Sequence, residues 1–410
     1  MTPPCRNRAT LNSDEQLDNA HLMRLAGRFA RRLRASAQAH GIPVIDCKAG
    51  ERKHQIAEEY LAEHPDVRVG VFLILVNRSP ALVWKVDRSA KGVIHHLEKT
   101  RQFVNHYSFH IIDPTWGHVT IKISGHPPFG AQVMLNGHEY VAAAARTARI
   151  GYTKEGNCFT QISNPERLAQ IADTFSQPGE IGRLSQAIDR WIYTACLCYG
   201  LSSDEQQQSG YRYDYSIYQI EYSRNLVFAS GAVMDRLFNT IVDRTRSRLD
   251  IPMVRTLFGS KGRPHRPGGD LSPRQAVVIE KPRSNLTIFK VHFGHLTLKG
   301  YTKGERVLRF EAIAHHTKQL GCGRRLDKFP QIIARLTGMV DRFMSMLDCV
   351  ELGFPPDGIL DELPAPSQLA ATRVGGIDLN TARVRAALAA TLALAVAPAG
   401  FTVAEFTTKV

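Results

Sequence analysis

The 410-residue chain carries 52 Lys and Arg against 38 Asp and Glu, a formal charge of +14, and such an excess favours a polyanionic partner, nucleic acid ahead of an anionic membrane surface. Its length implies more than one hydrophobic core. Seven cysteines, an odd number without paired spacing, exclude a secreted disulfide framework and a zinc knuckle. With no eighteen-residue apolar run and no charged-then-apolar leader, the expectation is a cytoplasmic protein with no membrane segment.

Residues 14 to 39 predict a basic amphipathic helix, with Leu22, Leu25, Phe29 and Leu33 on one stripe and Arg24, Arg28, Arg31, Arg32 and Arg34 around it. Such a helix either grips phosphates or merely solvates one face. A strand ("IPVIDC"), a polar helix ("ERKHQIAEEYLAEH") and a second strand ("VGVFLILV") then read as a small α/β unit over 40–100. "KAGERKH" lacks the Gly-x-x-x-x-Gly-Lys pattern of a nucleotide-phosphate cradle.

From 101 to 350 the pattern predicts an α+β core, antiparallel sheets with flanking helices. "FVNHYSFHII" and "HVTIKIS" alternate as strands around "DPTWG", and a helix follows the Asn136-Gly137 turn. His106, His110, His118, His126 and His138 match no zinc-ligand spacing and read as polar face residues. "YRYDYSIYQIEYSRNLVF" reads as a strand whose tyrosines, interleaved with Arg212 and Arg224, either stack on bases or simply pack. "GSKGRPHRPGGDLSPR", residues 259–274, reads as a mobile basic loop that carries Lys261, Arg263, Arg266 and Arg274 to a phosphate backbone.

"LTLKGYTKGERVLRFEA", residues 296–312, reads as a hairpin because apolar residues recur at period two on both sides of a Lys-Gly-Glu turn. A three-residue loop at 303–305 sets Leu298 opposite Phe310, Thr297 opposite Glu311 and Lys299 opposite Arg309. Like charges directly across a ladder invite an anion between them. His295, Thr297, Lys299, Tyr301, Arg309 and Glu311 are then expected on one solvent-facing surface, with Lys303 in the loop, which is also how an ordinary half-buried sheet meets water.

A composition change near residue 351 opens a linker and a last segment, 351–410. There Thr402 and Glu405 form a Thr-x-x-Glu capping box, and the layout predicts the front half of a winged helix.

"NHYSFHIIDPTWGHVTIK", "PPFGAQVMLNGHEYV", "YSIYQIEYSRNLVF" and "YTKGERVLRFE" together resemble a family of large bacterial proteins linked to mobile elements, many of which end in a winged helix. That family has no assigned activity. The resemblance implies a winged helix that continues past Val410. Over a shorter span, "LTLKGYTKGERVLRFEA" resembles the Tyr-x-Lys and Leu-Arg-Phe-Glu segments of rolling-circle replication initiators of filamentous phages and plasmids. This second resemblance implies Tyr301 as a nucleophile on DNA, Lys303 or Arg309 as phosphate clamp, and Glu311 with Glu221 as ligands of Mg or Mn. The His-hydrophobe-His strand of metal-binding relaxases is missing. Two classes therefore remain: a nucleic-acid-binding protein, of DNA before RNA, and a metal-dependent strand-nicking enzyme.

Overall fold

The computed structural model describes residues 11, 17–90, 92, 94–248, 275–283, 286–351, 365–369, 371–394 and 401–409. The expected basic loop, with Lys261, Arg263, Arg266 and Arg274, lies outside the described residues. The chain divides into two compact units, Met1–Arg342 and Phe343–Val410. The secondary structure is mixed α+β, as the alternating strand patterns and intervening helices predict.

The first sheet runs in the order β1 (Val44–Asp46), β2 (Gly70–Arg88), β3 (Ile94–Asp113), β4 (Gly117–Ser124) and β5 (Ala131–Met134). β1 lies parallel to β2, joined through α2 (Lys53–Glu63), which is the expected α/β unit. The later pairings are antiparallel. The expected boundary between 100 and 101 falls inside β3, so that unit and the following strands share one sheet.

Helix α1 (Asn19–Ala39) is part of this core rather than a separate arm. Its stripe of Leu22, Leu25, Phe29 and Leu33 is buried in one cluster with Ile74, Phe109, Ile111 and Ile121 of the sheet. Each such side chain contributes about 1.5–3 kcal/mol by leaving water. Arg28 donates to both Glu205 oxygens at 2.7 and 3.0 Å, and Arg34 reaches Asp46 at 3.0 Å.

The opposite sheet face corrects the expectation for the histidines. Pairing places His106, Ser108 and His110 of β3 beside Ser124, Lys122 and Thr120 of β4, while Ala57 of α2 packs onto Leu73 and Leu75 of the same sheet. His106 and His110 are therefore buried. His110 Nδ1 lies 3.0 Å from His118 Nε2. Burial, then Lys122, pushes His106 down to about 4; burial, then His118, pushes His110 down to about 3. Among the described residues no group of three or more His, Cys, Asp or Glu is placed to hold a metal ion.

A helical and hairpin layer follows: α3 (Gly137–Thr147), β6 (Tyr152–Glu155), β7 (Cys158–Ile162), α4 (Pro165–Thr174), α5 (Pro178–Trp191) and α6 (Ser203–Ser209). The strand expected from Tyr211 begins only at Ile220, as β8 (Ile220–Val227). Tyrosine hydroxyls explain the delay. Tyr211, Tyr213 and Tyr215 donate to Pro128 O, Phe129 O and Asp189 Oδ1 at 2.7, 2.6 and 2.6 Å, which ties residues 211–215 to the β4–β5 connection and α5. These half-buried rings pack against the core of the first sheet. Arg212 stays exposed, donating to Tyr211 O at 2.8 Å.

The second sheet is wholly antiparallel, in the order β8, β12 (Val307–Ala314), β11 (Leu296–Lys303), β10 (Leu286–Phe293), β9 (Gln275–Arg283). Helix α7 (Gly231–Arg248) lies between β8 and β9 in the chain. On the sheet's apolar face Arg224, paired with Phe310 in the ladder, reaches Asp341 of the helix Phe329–Glu351 at 2.6 Å.

The hairpin register differs from the expected one by two residues. Lys303 pairs Val307 around a loop at 304–306, Leu298 faces Ala312, Lys299 faces Glu311 and Tyr301 faces Arg309. A shift of two preserves which face each side chain occupies, so the alternation could not choose between the two registers. Two glycines help decide. Gly304 opens the loop at φ +65, in the left-handed region that favours glycine. Gly300 faces Phe310, and a Cβ there would stand 2.8 Å from the Phe310 ring.

The second unit contains β13 (Ser367–Leu369), β14 (Thr372–Val374) and helices Ala382–Leu394 and Val403–Lys409. The predicted capping box is formed: Thr402 N donates to Glu405 Oε2 at 2.7 Å and Glu405 N to Thr402 Oγ1 at 3.3 Å. These elements do not by themselves define a winged helix. Among the described residues no helix is long and apolar enough to cross a membrane.

Candidate functional site

The polar face of β11 and β12 is not open to solvent, contrary to expectation. All eight residues of β12 are buried, and Arg309 has no exposure at all. The cover comes from the β6–β7 hairpin and the first turn of α3. Arg309 Nη1 and Nη2 donate to Asn157 Oδ1 and O at 2.9 and 2.7 Å, and its Nε donates to Asn225 Oδ1 of β8 at 2.8 Å. Lys303 Nζ donates to the same Asn157 Oδ1. Two cations therefore converge on one neutral oxygen.

Glu311 takes the other charges. Its Oε1 accepts from the Tyr301 hydroxyl at 2.7 Å, its Oε2 accepts from Lys299 Nζ at 3.3 Å, and Arg309 Nη1 stands 3.7 Å from Oε1. The like-charge pair expected between Lys299 and Arg309 does not form. The built-in carboxylate stands opposite Lys299 in its place. Burial, then Glu311, holds the Tyr301 hydroxyl well above the usual phenol range.

Helix α3 delivers a member that the sequence reading left among the histidines. Asn136 caps the helix, accepting from the His138 backbone N–H at 3.0 Å and lying 3.0 Å from its Nδ1. An amide oxygen can only accept, so Nδ1 carries the proton and Nε2 is free to accept from Ser223 Oγ, 3.3 Å away on β8. Burial, then Arg309, Lys154 and Lys303, pushes His138 down to about 4. Burial, then Arg309, likewise lowers Lys303. Lys154 of β6 donates to Glu139. Burial raises the Cys158 thiol against the pull of Arg309 and Lys303, which leaves it a poor nucleophile.

Of the expected site residues, Lys299, Tyr301, Lys303, Arg309 and Glu311 come together. Arg212 does not join them, and Arg224 lies on the opposite sheet face, bound to Asp341. Glu221 sits on the site's side of β8 but opposite Ile313, and is exposed. The oxygens of Glu311 face Lys299, Tyr301 and Arg309. His138 was expected only as a polar face residue, and no sequence pattern points to Asn157 or Lys154. "YTKEGNCFT" carries a glycine turn between β-formers, a hairpin signal, but nothing local tells where that hairpin will dock. No family model, curated protein or solved structure matches the chain.

Proposed function

We propose that the protein binds nucleic acid, DNA before RNA, with a backbone phosphate meeting Lys303 at the edge of this cluster. One observation carries the reading: Lys303 and Arg309 converge on Asn157 Oδ1, a neutral acceptor, within a chain of formal charge +14. A phosphate oxygen beside Lys303 supplies the charge that the amide lacks. Arg309 is fully buried and acts from behind, as fixed positive charge and as the clasp between sheet and hairpin. The link to a mobile element and a cytoplasmic setting rest on the sequence resemblance and composition. A charge reversal, Lys303→Glu, tests the site: it weakens binding to a fluorescent oligonucleotide by about tenfold or more, the scale of one lost charge-assisted contact plus repulsion. Unchanged affinity in a folded variant contradicts the assignment.

The Tyr301–Glu311 hydrogen bond favours a second reading, in which Tyr301 attacks a phosphodiester. Glu311, already accepting from the hydroxyl, takes its proton as the tyrosyl P–O bond forms and the P–O bond to the sugar breaks, and the departing sugar oxygen leaves as a hydroxyl after taking a proton from solvent water. In this arrangement Glu311 serves as base rather than metal ligand. A denaturing gel after incubation with labelled single-stranded DNA tests it: a covalent adduct in wild type, lost in Tyr301→Phe, supports the chemistry, and no adduct removes it.

A further inference from the structure

Away from the hairpin, the turn between β3 and β4 and the helices α3, α4 and α5 enclose an open trough of about 960 Å³. Four of its six charged lining residues are arginines, Arg146, Arg167, Arg183 and Arg190, and two are carboxylates, Asp113 and Glu180. The carboxylates are committed. Asp113 is buried and accepts from Arg190 Nη2 and Trp191 Nε1, both at 2.7 Å, and from the backbone N–H of Thr115 and Trp116. Glu180 accepts from the Tyr140 hydroxyl at 2.9 Å and from Arg183 at 2.7 Å.

The other two arginines donate to neutral partners: Arg146 to the Tyr152 hydroxyl at 2.9 Å and Arg167 to Gln170 Oε1 at 3.0 Å. Both are exposed, and the side chains of Arg183 and Arg190 keep 75% and 54% of their exposure despite their pairs. Seven residues apart on α5, Arg183 and Arg190 share one helix face with about 10 Å between them along the axis. Arg146 and Arg167 come from α3 and α4. Between them the lining is small, with Ala143, Ala144, Ala148 and Ala187, so a bulky chain can settle among the guanidinium groups. The neighbouring rings of Trp116 and Tyr140 are buried and stacked on each other at 4.8 Å, which leaves no exposed ring there for a base.

We propose that this trough is a second nucleic-acid contact, which takes the sugar–phosphate backbone of a strand through Arg146, Arg167, Arg183 and Arg190 and reads no bases. The inference rests on the nucleic-acid reading above but uses a different surface. Guanidinium forks match phosphate oxygens bidentately, and contacts confined to phosphates position a strand without specifying sequence. Helix α3 connects the two surfaces, with His138 in its first turn and Arg146 in its last, about 12 Å apart along the axis.

The test uses the full chain and the triple variant Arg146→Gln, Arg167→Gln, Arg183→Gln, which leaves Arg190 in place to hold buried Asp113. Fluorescence anisotropy is followed over a salt series with a single-stranded oligothymidine, a mixed-sequence single strand and a duplex of equal length. The slope of log K against log salt becomes shallower by about 2 to 3, and affinity falls by about tenfold or more at low salt, as expected for three lost phosphate contacts. The two single strands lose affinity equally; a loss confined to one of them overturns backbone-only contact. A loss confined to the single strands, or to the duplex, identifies which form occupies the trough.

If the triple variant melts well below wild type, Arg167→Gln alone is used, with an expected slope change of about 0.7 to 0.9. Unchanged slope and affinity in a folded variant, while Lys303→Glu still weakens binding, overturns the trough and spares the hairpin site. A wild-type protein that binds none of the three oligonucleotides overturns both.

Discussion

The Tyr301 hydroxyl donates to Glu311 Oε1 at 2.7 Å although its ladder partner is Arg309, two residues earlier on β12. This diagonal contact depends on the register. In the alternative pairing, with Lys299 opposite Arg309, Glu311 would face Thr297 and stand further from the tyrosine. Tyr301→Phe therefore lowers stability by about 1.5–3 kcal/mol, the range for a hydrogen bond to a charged group, measured as a fall in the urea midpoint. A fall as large as that of a core deletion would show that the ring, not the hydroxyl, matters most.

Arg309→Ala is expected to act first on folding. Its guanidinium is fully buried, bonded to Asn157 and Asn225 and beside Glu311, and its removal strands those acceptors. A loss of about 3–5 kcal/mol is expected, seen in thermal or urea unfolding. If the variant is as stable as wild type and only binding suffers, Arg309 is a direct phosphate ligand and its structural assignment is wrong.

Tyr213→Phe tests how far its hydroxyl anchors residues 211–215. The hydroxyl donates to Phe129 O at 2.6 Å, so the variant loses about 1 kcal/mol of stability and binds oligonucleotides as wild type does. Unchanged stability would show that the bond to Phe129 O does not hold this segment in place.

Acid sensitivity follows from the buried histidines. His106, His110 and His138 are pushed down to about 4, about 3 and about 4, whereas in the unfolded chain each titrates near about 6.5. Between those values the unfolded chain binds more protons, so stability present above pH 6.5 is lost as pH falls toward 4. The urea midpoint is lower at pH 5 than at pH 7, and His138→Gln, whose amide cannot be protonated, reduces the difference. A midpoint that rises on acidification contradicts neutral burial of these rings.

Much of this fold is legible in the sequence, and the misses have local causes. Period-two alternation assigns Leu296, Leu298, Phe310 and Ala312 to one face of the hairpin, and the loop has the expected three residues. It cannot detect a shift of two, which was settled by the fit of Gly300 against the Phe310 ring and by the left-handed Gly304. His106 and His110 alternate on β3 as water-facing residues would, but α2, far upstream in the chain, packs onto Leu73 and Leu75 of the same sheet. The site was half visible. Lys299, Tyr301, Arg309 and Glu311 share the face that the alternation assigns them, whereas Asn157 and His138 enter through tertiary docking that no local pattern records.

The central claim is that this chain holds nucleic acid through phosphates, and equilibrium anisotropy of wild type over a salt series tests it most directly. The account predicts a straight line of log K against log salt with a clearly negative slope, reduced by about 0.7 to 0.9 in Lys303→Gln. A flat dependence, or no binding at low salt, would contradict it.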